Sequence, residues 1–277
     1  MPIGELKTLE TKVEVNPSQV TSLSLPAEID GVTINVVEAE PIAATECFNQ
    51  RKFSSIPGGV VNGDGPGDGG AGTSCVRAKK NGEYRMLTAA HLFYRRGNCG
   101  AGLVGRRAFQ RGQKVGQIRD GYNRHDWVAY NRNNSDLRLT DQIKKYGGRV
   151  GISGYMNSRG LAYWGGDGQP FYKVGISTGQ TKNNSEPITI HSNAEYWDEC
   201  VNMDGSGVIF ANNQAAGDSG GPVFVQRNSD GKWFVVSLNT FRAGGRIGTA
   251  CNNPLYGRGG GWPAYKLANN ADYRFGV

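Results

Sequence analysis

No stretch of this chain approaches the roughly 18 consecutive apolar residues needed to cross a bilayer, so no membrane span is expected. Met1-Pro2-Ile3-Gly4-Glu5 also lacks the basic start and apolar continuation of a secretory signal, so no signal peptide is read there. None of the five cysteines (Cys47, Cys75, Cys99, Cys200, Cys251) stands in a C-x-x-C pair. That spacing argues against structural zinc, and neither a metal nor an organic cofactor is expected. The formal charge of +7 is spread over scattered pairs such as Arg95-Arg96, Arg106-Arg107 and Lys144-Lys145. A nucleic-acid surface would concentrate such charge in a stripe with interleaved aromatics, so the balance reads as a basic, soluble surface with no nucleic-acid partner. Long amphipathic helical periods are missing as well. In their place stand 42 glycines and 11 prolines, the punctuation of many turns between short strands, in a chain of 277 residues able to bury one large core or two smaller ones. The fold class expected is all-β.

The densest chemical signal is Ala215-Ala216-Gly217-Asp218-Ser219-Gly220-Gly221-Pro222-Val223. Gly217 and Gly220 permit backbone conformations and close approaches that a Cβ would block. The turn can then present the Ser219 hydroxyl beside converging N–H groups, which is how a nucleophile and an oxyanion hole are built together. Upstream, Leu87-Thr88-Ala89-Ala90-His91 ends in an imidazole, and His125-Asp126-Trp127-Val128-Ala129-Tyr130 places a carboxylate at the head of an apolar strand. Order along the chain discriminates between folds. Gly217–Gly221 also satisfies G-x-S-x-G, but an α/β-hydrolase needs its histidine after the serine, and His91, His125 and His191 all precede Ser219. The subtilisin order would put the aspartate before the histidine.

The order His91, Asp126, Ser219, with T-A-A-H, D-W-V-A-Y and G-D-S-G-G-P around them, resembles the trypsin/chymotrypsin family of serine peptidases. Lys173-Val174-Gly175-Ile176-Ser177-Thr178-Gly179-Gln180-Thr181 is similar to the G-x-T-T-G segment of the bacterial streptogrisin and α-lytic branch. The resemblance runs from about Ile56 to the C-terminus. It implies two Greek-key antiparallel β-barrels, residues 56–148 with His91, Asp126 and a linker, and residues 149–277 with Ser219, closed by a short helix near Pro263–Asn270. Residues 1–55 form an N-terminal extension, read either as a pro-segment or as an arm packed on the barrels. The resemblance also implies a bridge between Cys75 and Cys99 across the histidine's loop. Cys47, Cys200 and Cys251 leave three pairings, of which Cys200 with Cys251 is preferred because both fall in the second barrel. Disulfides would place the protein in an oxidising, extracellular setting.

Along the chain, Ile34–Glu40 is the best strand candidate of the extension. Ile56-Pro57-Gly58-Gly59 resembles the I-x-G-G start whose freed amine pairs with the aspartate before the nucleophile, here Asp218, although the proline fits that role poorly. Val60–Gly72 reads as a solvated loop, and its Asp64 and Asp68 lack the downstream acidic ligand of an EF-hand. Thr73–Ala78 and Tyr84–Thr88 read as a hairpin across Lys79-Lys80-Asn81-Gly82, and Asp120 as a turn residue. Asn131–Gly148 reads as the linker between barrels, Ile188–Ser192 as a half-buried strand carrying His191, and Ser177-Thr178-Gly179 as a turn.

What the resemblance implies chemically is acyl transfer to Ser219. His91 would act as base and then acid, Asp126 would fix its tautomer, and the N–H groups of Gly217 and Ser219 would bind the oxyanion. Asn213, six residues before the nucleophile, would lie at the base of the pocket for the side chain preceding the scissile bond (P1). Being neutral, it points to an apolar or uncharged preference. Ser237 would support the buried aspartate and Asn239 would rim the pocket, where relatives carry glycine. The expected partner is a protein or peptide substrate, acted on by a monomer. A catalytically silent binding module on the same barrels is the alternative.

Overall fold

In the computed structural model, the structure describes residues 28–29, 32–33, 48–66, 71–94, 102–166, 170–183, 189–191, 207–242 and 255–277. The chain divides into two units, Met1–Ala44 and Thr45–Val277. In the first, Glu28–Ile29 pairs antiparallel with Val32–Thr33. The strand expected at Ile34–Glu40 lies outside the described residues.

The second unit is built from strands, as expected. One sheet runs in the order Arg274–Phe275, Arg77–Lys80, Glu83–Thr88, Trp127–Tyr130, Gln113–Tyr122, Arg107–Gln110. A second runs Gly179–Asn183, Phe171–Gly175, Pro222–Gln226, Trp233–Leu238, Gly148–Tyr155, Arg138–Lys145, Ser55–Gly58. A third pairs Thr189–His191, Gly207–Gln214, Leu255–Gly261 and Phe241–Arg242. The short C-terminal helix is present at Ala264–Ala271, and a further helix, Ser158–Gly166, had no counterpart in the sequence reading.

Why some strands read as unbroken apolar runs is explained by the cores. Side chains on a strand alternate between faces. On Glu83–Thr88 and Trp127–Tyr130, Met86, Val128 and Tyr130 enter one core with Phe93, Val115 and Ile118. Their neighbours Leu87, Trp127 and Ala129 enter another, shared with Val174, Phe224, Val235 and Leu238 from the second half of the chain. On Pro222–Gln226 and Trp233–Leu238 the opposite faces, Val223, Val225 and Val236, fill a third core with Leu161, Phe171 and Phe210. Strands buried on both faces have no polar side to show. The shared middle core cements the two barrels, and the residues singled out from the sequence gather along its edge.

Several local expectations change. The Lys79–Gly82 hairpin forms, with Asn81 and Gly82 at φ 51° and 81° as a tight turn of this hand requires. Val60, Val61 and Asn62 are buried, and Val61–Asn62 is a strand, so the supposed loop begins inside the fold. The linker contains the strand Arg138–Lys145, because Leu139 and Ile143 alternate into two different cores. Asp120 sits within Gln113–Tyr122, bonded by Lys80 at 2.5 Å, rather than in a turn. Cys75 is a free thiol, fully buried in the middle core beside Val76 and Leu87, so the expected Cys75–Cys99 bridge is not made. Cys47, Cys99, Cys200 and Cys251 lie outside the described residues.

Candidate active site

Antiparallel register brings the first two groups together. Thr88 stands opposite Val128, so the chain leaving Glu83–Thr88 meets the chain entering Trp127–Tyr130. His91 lies in the 3-10 turn Ala90–Phe93, and the Ala90 N–H donates to the Asp126 carbonyl at 3.2 Å. Asp126 is not the first strand residue, as the sequence suggested. It caps the turn Asn123–His125 in a left-handed conformation, φ 50° and ψ 47°, which an aspartate tolerates better than most side chains. That twist aims the carboxylate back at the histidine. The His91 N–H donates to Oδ1 at 2.8 Å, and Nδ1 lies 2.7 Å from Oδ2. The carboxylate is 3% exposed and the imidazole 29%, so the acid is sealed while the ring still faces outward. On the neighbouring face, His125 stacks on Trp262 with centroids 3.5 Å apart and planes 10° from parallel. This clamps the turn from the second half of the chain.

The third group reaches them through backbone contacts. The Ser219 carbonyl accepts from the Thr73 N–H at 2.7 Å, and the Thr73 hydroxyl donates to the Gly217 carbonyl at 2.7 Å. Thr88 in turn donates to the Thr73 carbonyl at 2.8 Å, which ties the strand leading to His91 to the strand holding the serine turn. Two glycines allow the approach. A Cβ on Gly220, at φ 89°, would collide with the Thr73 carbonyl and the Thr88 hydroxyl. A Cβ on Gly72 would collide with Leu92, the residue after His91, and lie 2.7 Å from the Ser219 carbonyl. Ser219 is half-buried. Among the described residues, neither its N–H nor that of Gly217 donates to a backbone carbonyl, whereas the intervening Asp218 N–H is used by Ala215 at 3.1 Å. Two N–H groups on one side of the turn are left to bind an oxyanion, the arrangement that the Gly217 conformation, φ 97°, sets up.

Asp218 points the other way, into the core. At 1% exposure, its Oδ1 accepts from the N–H groups of Ser177 and Thr178, both at 3.1 Å. Oδ2 accepts from Lys173 Nζ at 2.5 Å, the Thr178 hydroxyl at 2.8 Å and the Ala215 N–H at 3.1 Å. Gly175 leaves the space the carboxylate occupies. Lys173 is fully buried and also donates to the Thr178 hydroxyl at 2.8 Å. Burial pushes its ammonium below the ordinary lysine range, and the facing Asp218 carboxylate pulls it back up. The internal amine thus does what the Ile56 start could not, since Ile56 is fully buried within the strand Ser55–Gly58. Lys173 and Thr73 were not recognised in the sequence as parts of this site. The only signal was the Lys173–Thr181 segment, whose Ser177-Thr178-Gly179 turn proves to be the cradle of Asp218.

The remaining expected residues are placed differently. Asn213 is exposed, and the next residue, Gln214, is buried, as opposite faces of one strand require. Ser237 is buried with its hydroxyl unbonded, so its hydrogen bond to Asp126 is not made. Asn239 sits on the serine turn itself. Its N–H donates to the Gly221 carbonyl at 2.8 Å, its carbonyl accepts from the Gly220 N–H at 2.5 Å, and its Nδ2 donates to the Asp218 carbonyl at 3.2 Å. His191 lies in the strand Thr189–His191, as expected. Among the described residues, no group of three or more His, Cys, Asp or Glu could hold a metal ion.

No family model and no curated protein matches the sequence. Solved structures do resemble it. Protease A of Thermobifida fusca superposes with a TM-score of 0.57 at 16% identity, covering 80% of this chain and 100% of its own. Nocardiopsis protease gives 0.55 at 18% identity, over 80% of this chain and 100% of its own. Cellulomonas bogoriensis chymotrypsin gives 0.54 at 17% identity, over 80% and 98%. At these identities the shared property is the fold, that of bacterial chymotrypsin-like serine proteases.

Proposed function

We propose that the chain is a serine endopeptidase that cleaves peptide bonds through an acyl-enzyme on Ser219. The observation that carries this reading is the doubly bonded Asp126–His91 pair, held by Thr88, Thr73 and Gly220 against the turn that presents Ser219. In this reading His91 takes the hydroxyl proton as Ser219 attacks the carbonyl, then returns it to the leaving amine. Asp126, accepting from Nδ1–H, keeps Nε2 free as the base and steadies the imidazolium. The N–H groups of Gly217 and Ser219 bind the tetrahedral oxyanion, a contribution worth about 2.7–4 kcal/mol of barrier for one donor. The nearest pocket residues, Asn213, Gln214 and Asn239, are neutral, which supports an uncharged side chain before the scissile bond. The partner is a protein or peptide, the acting form a monomer, and the setting extracellular.

The test is covalent labelling with a fluorophosphonate probe. Full-length protein and a form beginning near Ile56 are each compared with Ser219→Ala. Labelling of wild type but not of the variant is expected. Labelling of the shorter form alone would make residues 1–55 inhibitory, and labelling of neither would favour the silent binding module.

A further inference from the structure

Beside the serine turn, two buried side chains each carry a polar atom with no partner: Gln214 Nε2, on a residue 4% exposed, and Asn239 Oδ1, on a residue 3% exposed. An orphaned buried donor or acceptor costs roughly 1–3 kcal/mol, so two of them next to a reactive serine call for a ligand. Both face one spot. A Cβ on Gly259 would collide with Gln214 Nε2 and lie 2.9 Å from Asn239 Oδ1, so the glycine keeps open the gap between them. The gap adjoins the reacting centre. Gln214 runs directly into Ala215 and the turn, and Asn239 is bonded to that turn by its N–H, its carbonyl and its Nδ2. The Nδ2 bond to the Asp218 carbonyl also fixes which end of the Asn239 amide is free, namely the acceptor.

On the reading that Ser219 is an acylating nucleophile, we infer that the P1 pocket selects a carboxamide side chain, glutamine or asparagine. Its oxygen accepts from Gln214 Nε2, and its NH2 donates to Asn239 Oδ1. The alternatives fail on the same inventory of donors and acceptors. A carboxylate has nothing to donate and would face the Asn239 oxygen. An ammonium or guanidinium has nothing to accept with and would face the Gln214 NH2. An aliphatic side chain leaves both groups unpaired, and a hydroxyl offers both functions through a single oxygen. The pocket thus refines the uncharged preference into a choice between neutral side chains.

The inference is tested by binding and by turnover. In Ser219→Ala, fluorescence anisotropy compares peptides ending in Gln, Asn, Glu, Leu or Lys at the P1 position. Tighter binding of the better amide by ~10-fold or more over Leu and Glu is expected, about 1.4 kcal/mol for the paired groups. Wild-type kcat/KM on the matching p-nitroanilides should follow the same order. Gln214→Leu should bring Gln and Leu substrates to within about threefold, and Gly259→Ala should weaken every P1 side chain larger than alanine. Fluorophosphonate labelling of both variants reports whether the serine turn is intact. If Ser219 is labelled but Leu or Glu equals or beats the amides, the inference is overturned and the peptidase reading stands. If Ser219 is unreactive while the Ser219→Ala protein still prefers the amides, the peptidase reading falls and the pocket stands. Failure of both readouts overturns both.

Discussion

Lys173 and Asp218 form an ion pair at 2.5 Å in which the two side chains are 0% and 1% exposed. The pair lies directly beneath the nucleophile, because Asp218 precedes Ser219 and all its bonds pull the turn inward. Removing one partner strands a buried charge. Lys173→Met should therefore destabilise the protein by about 3–5 kcal/mol in denaturant titration and abolish labelling of Ser219. The double variant Lys173→Met, Asp218→Asn should recover a good part of the stability. If Lys173→Met alone unfolds like wild type, the pair does not organise the turn.

Asp126→Asn should leave stability and KM nearly unchanged, since an amide fits the same left-handed position. It should nevertheless lower kcat by about 10⁴-fold, because an Asn NH2 facing Nδ1 selects the wrong imidazole tautomer. Steady-state kinetics on a peptide ester checks this. A loss under tenfold would mean that the His91–Asp126 bond does not set the base.

Gly220→Ala should disrupt the site without touching any reacting atom. Its Cβ meets the Thr73 carbonyl and Thr88 hydroxyl, and its φ of 89° is strained for alanine. Strain of about 1–3 kcal/mol, with overpacking of similar size, is expected in thermal unfolding, together with loss of fluorophosphonate labelling. Gly231→Ala provides the control. It also has positive φ, 68°, but only a flexible side chain lies nearby, so it should pay the backbone strain and keep its labelling.

Cys75 should resist iodoacetamide in the native state and react on unfolding. Burial raises its thiol pKa well above the ordinary value. The folded state therefore holds the thiol proton at a pH where the unfolded chain has released it. This contribution to stability is complete below the ordinary thiol range and is lost as pH rises through it. Mass spectrometry of native and urea-unfolded protein, alkylated at pH 8, reads the modification directly. Rapid native alkylation would contradict the burial.

Much of the candidate site could be read along the chain because its stereochemistry is local. Gly217 and Gly220 flank Ser219 since no other residue fits the turn, and Thr88-Ala89-Ala90-His91 carries its imidazole at a strand end. Asp126 was identified by its place before an apolar strand, although the left-handed conformation that aims it was not. The all-β class followed from glycine-rich punctuation and from strands too apolar to have a solvent face.

What sequence alone determined, then, was the identity of the turn, the order of its candidate partners and the strand-rich class, because each depends on residues within a few positions of one another. Tertiary structure decided the rest. Lys173 reaches Asp218 across 45 positions, and Thr73 reaches Gly217 across 144. Whether Asn213 or Gln214 faces inward depends on strand register, and whether Cys75 points to a loop or to the core depends on which face of the sheet its neighbours bury. Those are outcomes of packing between distant strands, where a shift of one residue exchanges inside for outside.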